Sequence, residues 1–533
     1  MIFHRRLQIV AALTSGAVLL VGAKLPAQRP DPLAALQTRA ERTRYQETSR
    51  YDDVVRFLDE VAAASELVHV ATFGYSFEGR PLPLAVIGRV ADARPETVRA
   101  SGKLRVYIQA NVHAGEVEGK EAMLALARDI ARGGHRDWLD SLVLLVAPIY
   151  NADGNDRVSL TNRGPQHGPI GGMGTRANAQ NLNINRDYIK LETPEARSMV
   201  KLLNDYDPQV MLDLHTTDGS RHAYYLTYET PNNPAVDRSI ADLSRGWMTA
   251  ITKTVSTKYD WDFHAYGNVS GQAPERTWST VEDLPRYSHN YWGIRNRIGI
   301  LSETYSYLTF QDRITACTRF VEEVLNMART GSQAVQQTVE AADRIALAGT
   351  RLSLRSAPAR SNEMITILMG ETVDEINPFS GRVMYRRVDV RKPERMWEFA
   401  TFAPTETERV PSAYFVPASL DGAVNLLRAH GIRLEPLTSS LSLPIEEFRI
   451  ESSQATAQAF ENHRERTITG KYQPDNRIIP AGTWRVATNQ PLGRLVFYLL
   501  EPRSNDGVLT WNVLDQPMGS STVYPIVRSQ DGR

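Results

Sequence analysis

Val112-His113-Ala114-Gly115-Glu116 closes a β-like run in which Leu104, Val106 and Ile108 alternate, and it opens an Ala-rich helix. An imidazole and a carboxylate three residues apart at a strand-to-helix corner can face one point. That point suits a divalent cation such as zinc, which takes nitrogen and oxygen ligands at ~2.0–2.2 Å. Alone, His-x-x-Glu is a short motif, and the rest of the chain gives it meaning. Two continuous apolar runs, 210–214 and 298–302, end in His215 and Glu303, and a third spans 142–147. Such runs mark strands covered on both faces, and in open α/β sheets binding sites collect at the carboxyl ends of strands. The expected fold class is therefore α/β, a mixed central sheet flanked by helices. Two histidines and a carboxylate form the ligand set of a hydrolytic zinc site with a fourth position for water. Glu303 is then placed to take that water's proton. Asp213 lies two residues before His215 and projects to the same strand face.

Outward from this centre, apolar residues at helical spacing (Val54, Val55, Leu58, Val61) predict a helix within 48–67. Strands are expected at 68–73 and 82–87, with Gly74-Tyr75-Ser76-Phe77-Glu78-Gly79-Arg80-Pro81 turning between them. A helix from about Val117 to Arg132 stops at Gly133-Gly134. Acids in its first turn, Glu118 and Glu121, favour the helix dipole. Asn151-Ala152-Asp153-Gly154 reads as a turn, the glycine-rich stretch after it as a flexible loop, and Thr193-Pro194 as the cap of a helix to about Asn204. The segment 216–297 is aromatic-rich and reads as irregular. Two helices follow, at about 311–330 and 333–347. Ser, Arg, Ala and Pro dominate 348–362, a linker composition. Beyond it, β-like runs at 364–369, 413–416, 484–486 and 495–500, with one helix at 420–429, predict a β-rich accessory domain over 363–533 after a catalytic domain over 28–347.

Lysine plus arginine equals aspartate plus glutamate, 61 each, which argues against nucleic acid as the main partner. With one cysteine, Cys317, no intrachain disulfide can form; its neighbours Ile314, Phe320, Val321 and Val324 place it on a buried helix face. A basic start (His4, Arg5, Arg6), the apolar run 7–22 and a small residue before Gln28 read as a signal peptide over 1–27. The expected location is periplasmic or secreted. No later apolar run reaches membrane length, so no membrane span is expected once the signal is removed. Nothing in the sequence speaks to oligomeric state.

Several separated stretches, in order, resemble the zinc metallocarboxypeptidase family of the carboxypeptidase A type, across roughly residues 45–330. Gly74-x-Ser-x-Glu-Gly-Arg80-Pro81 is similar to the family's early hairpin, and His113-x-x-Glu116 to its first zinc pair. Asn151-Ala-Asp-Gly154 is similar to its Asn-Pro-Asp-Gly loop, and Asn183-Ile-Asn185-Arg186 to Asp-x-Asn-Arg. Asp213-Leu-His215 resembles the third-ligand strand, and Ser302-Glu303 the strand-end catalytic glutamate. The resemblance implies one zinc ion per chain, held by His113, Glu116 and His215, and a peptide substrate with a free C-terminus. It implies Glu303 as general base, Arg176 as oxyanion partner with Arg163 as its rival, and Asn185 with Arg186 as the grip on the terminal carboxylate. A guanidinium fork matches a carboxylate bidentately, which fits that last role.

Two departures stand out. Asn183 occupies the place of an aspartate that holds a zinc histidine; an amide oxygen still accepts that bond. The substrate-capping tyrosine has no direct counterpart, and Tyr287 and Tyr291 are the candidates. An exported metallocarboxypeptidase is the leading expectation. A zinc amidase or deacylase acting on cell-wall peptides or N-acyl amino acids, and a catalytically silent peptide-binding protein, are the alternatives.

Overall fold

The computed structural model describes residues 31–217, 219–272 and 275–531, together with Met1. The expected signal peptide, Met1 aside, lies outside the described residues. The strands of the first half are β1 (Val68–Tyr75), β2 (Pro81–Ile87), β3 (Leu104–Ala110), β4 (Leu142–Ala147), β5 (Val210–Thr216), β6 (Leu226–Glu229), β7 (Phe263–Ala265), β8 (Asn268–Ser270), β9 (Thr277–Ser279) and β10 (Ile298–Thr304). Eight of them form one sheet in the order β1-β2-β4-β3-β5-β10-β6-β7. Its centre, β4, β3, β5 and β10, is parallel, while β1, β2 and β6 join antiparallel. The sheet is thus mixed, with helices packed on it, as the apolar strands ending in His215 and Glu303 predict.

Every residue of β3, β4 and β5 is buried, which fits the continuously apolar run of β4, while β3 and β5 bury Arg105, Gln109, Asp213 and His215 among their apolar residues. The helix Glu118–Ala131 packs against Tyr51–Ala64 and Phe310–Thr330. It lies close on the sheet because Gly119 carries no Cβ: one there would meet the Leu214 Cβ at 2.8 Å and the Ala110 Cβ at 3.1 Å. Glu118 and Glu121 are buried rather than solvent-facing. Thr216 donates to Glu118, and Glu121 accepts from Thr48, Ser49 N–H and the Ser49 hydroxyl. They are internal clamps, because the helix start is covered by the segment before Tyr51.

Four further expectations change. Asn151 does not merely open a turn; it caps a short helix, Ala152–Asp156. The segment read as irregular contains a 22-residue helix, Arg238–Tyr259. The apolar run at 495–500 is helical, Gly493–Leu500, all eight residues buried; a short apolar run enclosed on every side has no period to tell strand from helix. Within the stretch expected as a linker, Arg351–Ala359 is a strand paired antiparallel with Thr401–Arg409.

The second half carries two long hairpins, Ile365–Ile376 with Val383–Phe399, and Leu441–Ala455 with Arg466–Ile479. The first extends β8 and β9 into a four-stranded sheet. One apolar core runs through both halves of the chain, joining Val210 and Ile300 to Tyr414, Leu427 and Trp511.

Candidate active site

Three strand ends meet. Register pairs Glu303 of β10 with His215 of β5, and residues in register on parallel neighbours project to the same face. The β3 strand stops at Ala110, and Asn111 turns in the left-handed region, φ +61. Its amide donates to Ala114 O and Glu116 O, at 3.2 and 3.3 Å. This turn swings His113 and Glu116 toward β5. Gly115 between them is required by close approach: a Cβ would fall 2.5 Å from Arg163 Cγ and 2.8 Å from Gly174 O.

His113 Nδ1 lies 2.8 Å from Glu116 Oε1, and His215 Nδ1 lies 2.8 Å from Glu116 Oε2. The two rings are 4.9 Å apart, all three side chains are buried, and their donor atoms lie within 4.8 Å of one another. The far nitrogens are engaged elsewhere. His113 Nε2 is 3.2 Å from Asn183 Oδ1, and His215 Nε2 is 3.0 Å from Asp213 Oδ2, an ion contact not aligned as a hydrogen bond. Outer acceptors of this kind fix the tautomer so that both Nδ1 atoms face the cluster. Two inward Nδ1 atoms and a carboxylate are a donor set that fits a zinc ion.

Burial holds the His113 imidazole down at about 3, which keeps it in the neutral, ligating form. Burial presses His215 the same way, but the Asp213 charge and the bond to Glu116 outweigh it and lift its pKa well above the usual value. Burial likewise opposes the Glu116 carboxylate; His113 and Arg163 reverse the sign and hold its pKa well below the ordinary value.

The two rival arginines separate. Arg163 Nη1 lies 2.9 Å from Glu116 Oε1, Nη2 donates to Thr216 O and Thr217 O, and the side chain is 11% exposed. Arg176 stands 3.8 Å from the same carboxylate oxygen and is 42% exposed. Arg163 therefore braces the Glu116 carboxylate, and Arg176 is the more exposed of the two. Arg186 Nη1 donates to Asn185 O, its guanidinium lies over the Tyr287 ring at 4.2 Å, and burial presses its pKa down. The structure gives it no carboxylate within 4.0 Å among the described residues. Asn185 is buried, and its Oδ1 has no hydrogen-bond partner there. Tyr291 does not join the site. It is fully buried, with its hydroxyl 2.7 Å from His430 Nδ1 and 3.2 Å from Arg295 Nη1. The helix Ser288–Ile294 turns it into the core, while Tyr287, one residue before that helix, remains beside Arg186.

The motif pieces outside the cluster lock its frame. Asp153 accepts from the Ser76 hydroxyl (2.7 Å), Glu78 N–H (2.9 Å) and Arg80 (2.6 Å), which pins the early hairpin to the Asn151–Gly154 segment. The Asn151 amide in turn donates to Val112 O and Arg176 O. A cavity of about 950 Å³ lies between β1 and the helix Pro194–Tyr206 and is lined by none of these site residues.

Sequence reasoning missed the contribution of the second half. Glu461 accepts the Asn183 N–H at 3.0 Å, and Glu398 lies 3.4 Å from His264, so both hairpins touch the first half of the chain. Burial, then Glu398 and Glu303, lift the Glu229 carboxyl well above its ordinary range. No local sequence signal marks such contacts, since their partners are hundreds of residues away.

Residues 54–298 match the family model for zinc carboxypeptidase. Carboxypeptidase 2 of Trichophyton tonsurans is 25% identical over 485 residues, covering 86% of this chain and 82% of its own. Human carboxypeptidase D is 26% identical over 210 residues, 33% of this chain and 15% of its own. Among solved structures, a metallo-carboxypeptidase from Burkholderia cenocepacia overlaps 52% of this chain and 69% of its own, at 17% identity and a TM-score of 0.39. The stretch 54–298 belongs to the zinc carboxypeptidase family, and the chain is a metallopeptidase of the carboxypeptidase type.

Proposed function

We propose that the protein is an exported zinc carboxypeptidase that removes C-terminal residues from peptides, with the ion held by His113, Glu116 and His215. The observation that carries this reading is the buried trio whose far nitrogens are already tied to Asn183 and Asp213. When bound, zinc supplies Lewis acidity toward a carbonyl oxygen and makes a water more acidic. Glu303, in register with His215, takes the proton of the attacking water and returns it to the leaving amine. Arg176, the more exposed arginine beside Glu116, steadies the oxyanion. Arg186 and Asn185 hold the substrate's terminal carboxylate and the last peptide unit. A half-buried guanidinium with no carboxylate within 4.0 Å and a buried amide oxygen without a donor, both among the described residues, support that assignment. Tyr287 lines the same pocket through its stack on Arg186. Residues 1–27 act as the export signal, and 28–347 and 363–533 serve as catalytic and accessory parts of one body.

The test combines zinc quantification with digestion of a peptide as free acid and as C-terminal amide. Stoichiometric zinc and cleavage of the free acid alone are expected. Equal cleavage of both forms would move the reading to an amidase. A zinc-loaded protein that cleaves neither would be a peptide-binding protein.

A further inference from the structure

A chain of buried polar side chains leads from the sheet interior to the cluster of His113, Glu116 and His215. Strands β3 and β5 pair with Gln109 opposite Asp213, and Tyr107, two residues before Gln109, projects to the same face. The segment after the Asn183–Arg186 turn adds Tyr188. The Tyr107 hydroxyl donates to Gln109 Oε1 at 3.1 Å, Gln109 Nε2 donates to the Tyr188 oxygen at 2.5 Å, and the Tyr188 hydroxyl donates to Asp213 Oδ2 at 3.2 Å. The same Asp213 oxygen lies 3.0 Å from His215 Nε2, and His215 Nδ1 faces Glu116. Tyr107, Gln109, Tyr188 and Asp213 are each fully buried.

Every donor in this chain points toward Asp213. Bonds aligned in this way polarise one another, and in a dry interior an unmade one is costly. An acceptor orients a histidine only if it is itself held in place. Tyr188 is rigid enough to do the holding. Its neighbour Asp187 accepts from Glu192 N–H, Thr193 N–H and the Thr193 hydroxyl, which ties down the segment. Its ring packs edge-on against Trp292 at 6.1 Å and beside Tyr291 at 6.0 Å. The two histidines of the cluster are therefore supported differently: His113 leans on the Asn183 amide, and His215 on a carboxylate backed by three further side chains.

We propose that Tyr188 is a positioning residue for the metal: acting through Asp213, it holds His215 in its ligating orientation, with Gln109 fixing the Tyr188 hydroxyl in turn. This rests on the zinc reading of His113, Glu116 and His215 and extends it to a tyrosine that touches none of the three. Losing a group in direct contact with a ligand histidine costs ~10–100-fold in metal affinity. Tyr188 stands one residue further out, so a loss of about three- to tenfold is expected.

The experiment measures, on the full chain, zinc affinity by chelator competition, the Tm of the zinc-free protein and the visible bands of the cobalt(II)-loaded protein. Tyr188→Phe keeps the ring and removes only the hydroxyl. Tyr107→Phe removes an equally buried hydroxyl at the far end of the chain. Both are expected to lower the zinc-free Tm to a similar extent. Only Tyr188→Phe is expected to weaken zinc by about three- to tenfold and to shift the cobalt bands, with Tyr107→Phe staying within about twofold. In an Asp213→Ala background, adding Tyr188→Phe is expected to change zinc affinity by less than about twofold, because its partner is gone. Should Tyr188→Phe not fold, Gln109→Met, which removes the donor that fixes the Tyr188 hydroxyl, is expected to weaken zinc about threefold, and unchanged affinity there would overturn the proposal. Unchanged zinc affinity and cobalt bands in Tyr188→Phe, with only the Tm lowered, would make Tyr188 a packing residue and overturn it. Equal zinc losses in both phenylalanine variants, or an undiminished loss without Asp213, would do the same. A wild type that takes up no zinc would instead overturn the zinc reading, and this proposal with it.

Discussion

The cluster of His113, Glu116, His215 and Glu303 and the two long hairpins of the second half are built in opposite ways. His113, Glu116, His215 and Glu303 stand at the ends of parallel strands whose backbones are paired residue by residue, so their mutual placement follows from sheet register. Two hairpins from far along the chain also pack on the first half, one paired with β9 and carrying Glu398 beside His264, the other touching Asn183 through Glu461. Groups that must keep fixed distances sit on the rigid element. A sheet interior tolerates little change without disturbing the whole fold, whereas a loop tip can be altered at small cost in stability.

Four experiments sharpen or break this contrast. Glu303→Gln is expected to reduce turnover by ~10²–10⁴ while zinc content stays at one per chain; loss of zinc along with activity would place Glu303 in the cradle. Arg176→Ala is expected to lower kcat by ~10²–10³ with zinc retained. Arg163→Ala should instead release zinc, because Arg163 braces Glu116; the reverse pattern in a metal assay would exchange the two roles. Asp213→Asn and Asn183→Ala are expected to weaken zinc by ~10–100-fold in chelator competition, through loosened histidines.

The smallest effect belongs to the loop 456–465 at the end of the second hairpin. The His463 pKa is raised above its ordinary 6.5, chiefly by its bond to Glu192. Its contribution is therefore fully present below about pH 6.5 and fades as pH climbs through the raised folded value. The pair is partly exposed, 17% and 36%, so it contributes no more than ~1 kcal/mol. The Tm deficit of His463→Ala should accordingly be larger at pH 6 than at pH 9. An equal deficit at both would show that packing, not charge, holds the loop.

What the sequence discloses follows the same division. His113-x-x-Glu116 and the apolar runs ending in His215 and Glu303 are local patterns, and a parallel sheet converts local patterns into a shared site. Asn183 was legible as an outer acceptor because an amide oxygen substitutes for a carboxylate oxygen. Tyr291 was misread because Tyr287 and Tyr291 are one helical turn apart and look alike in sequence; the short helix Ser288–Ile294 buries the second and leaves the first near Arg186. The helix Arg238–Tyr259 did leave a trace, with Ile240, Trp247, Met248, Ile251 and Val255 buried at helical spacing, obscured by the aromatic-rich sequence around it. Glu461 left none. It sits in a polar, exposed hairpin end, and only tertiary contact gives it a place beside Asn183.

The long separation between Asn183 and Glu461 also has a temporal side. At translation rates of roughly 5–20 residues per second, 278 residues take about 10–60 s to synthesise. Throughout that interval the earlier segment has left the ribosome and the later one does not yet exist. A nascent chain can thus complete the strands that carry His215 and Glu303 and the turn that carries His113 and Glu116 well before the hairpin that reaches Asn183 exists.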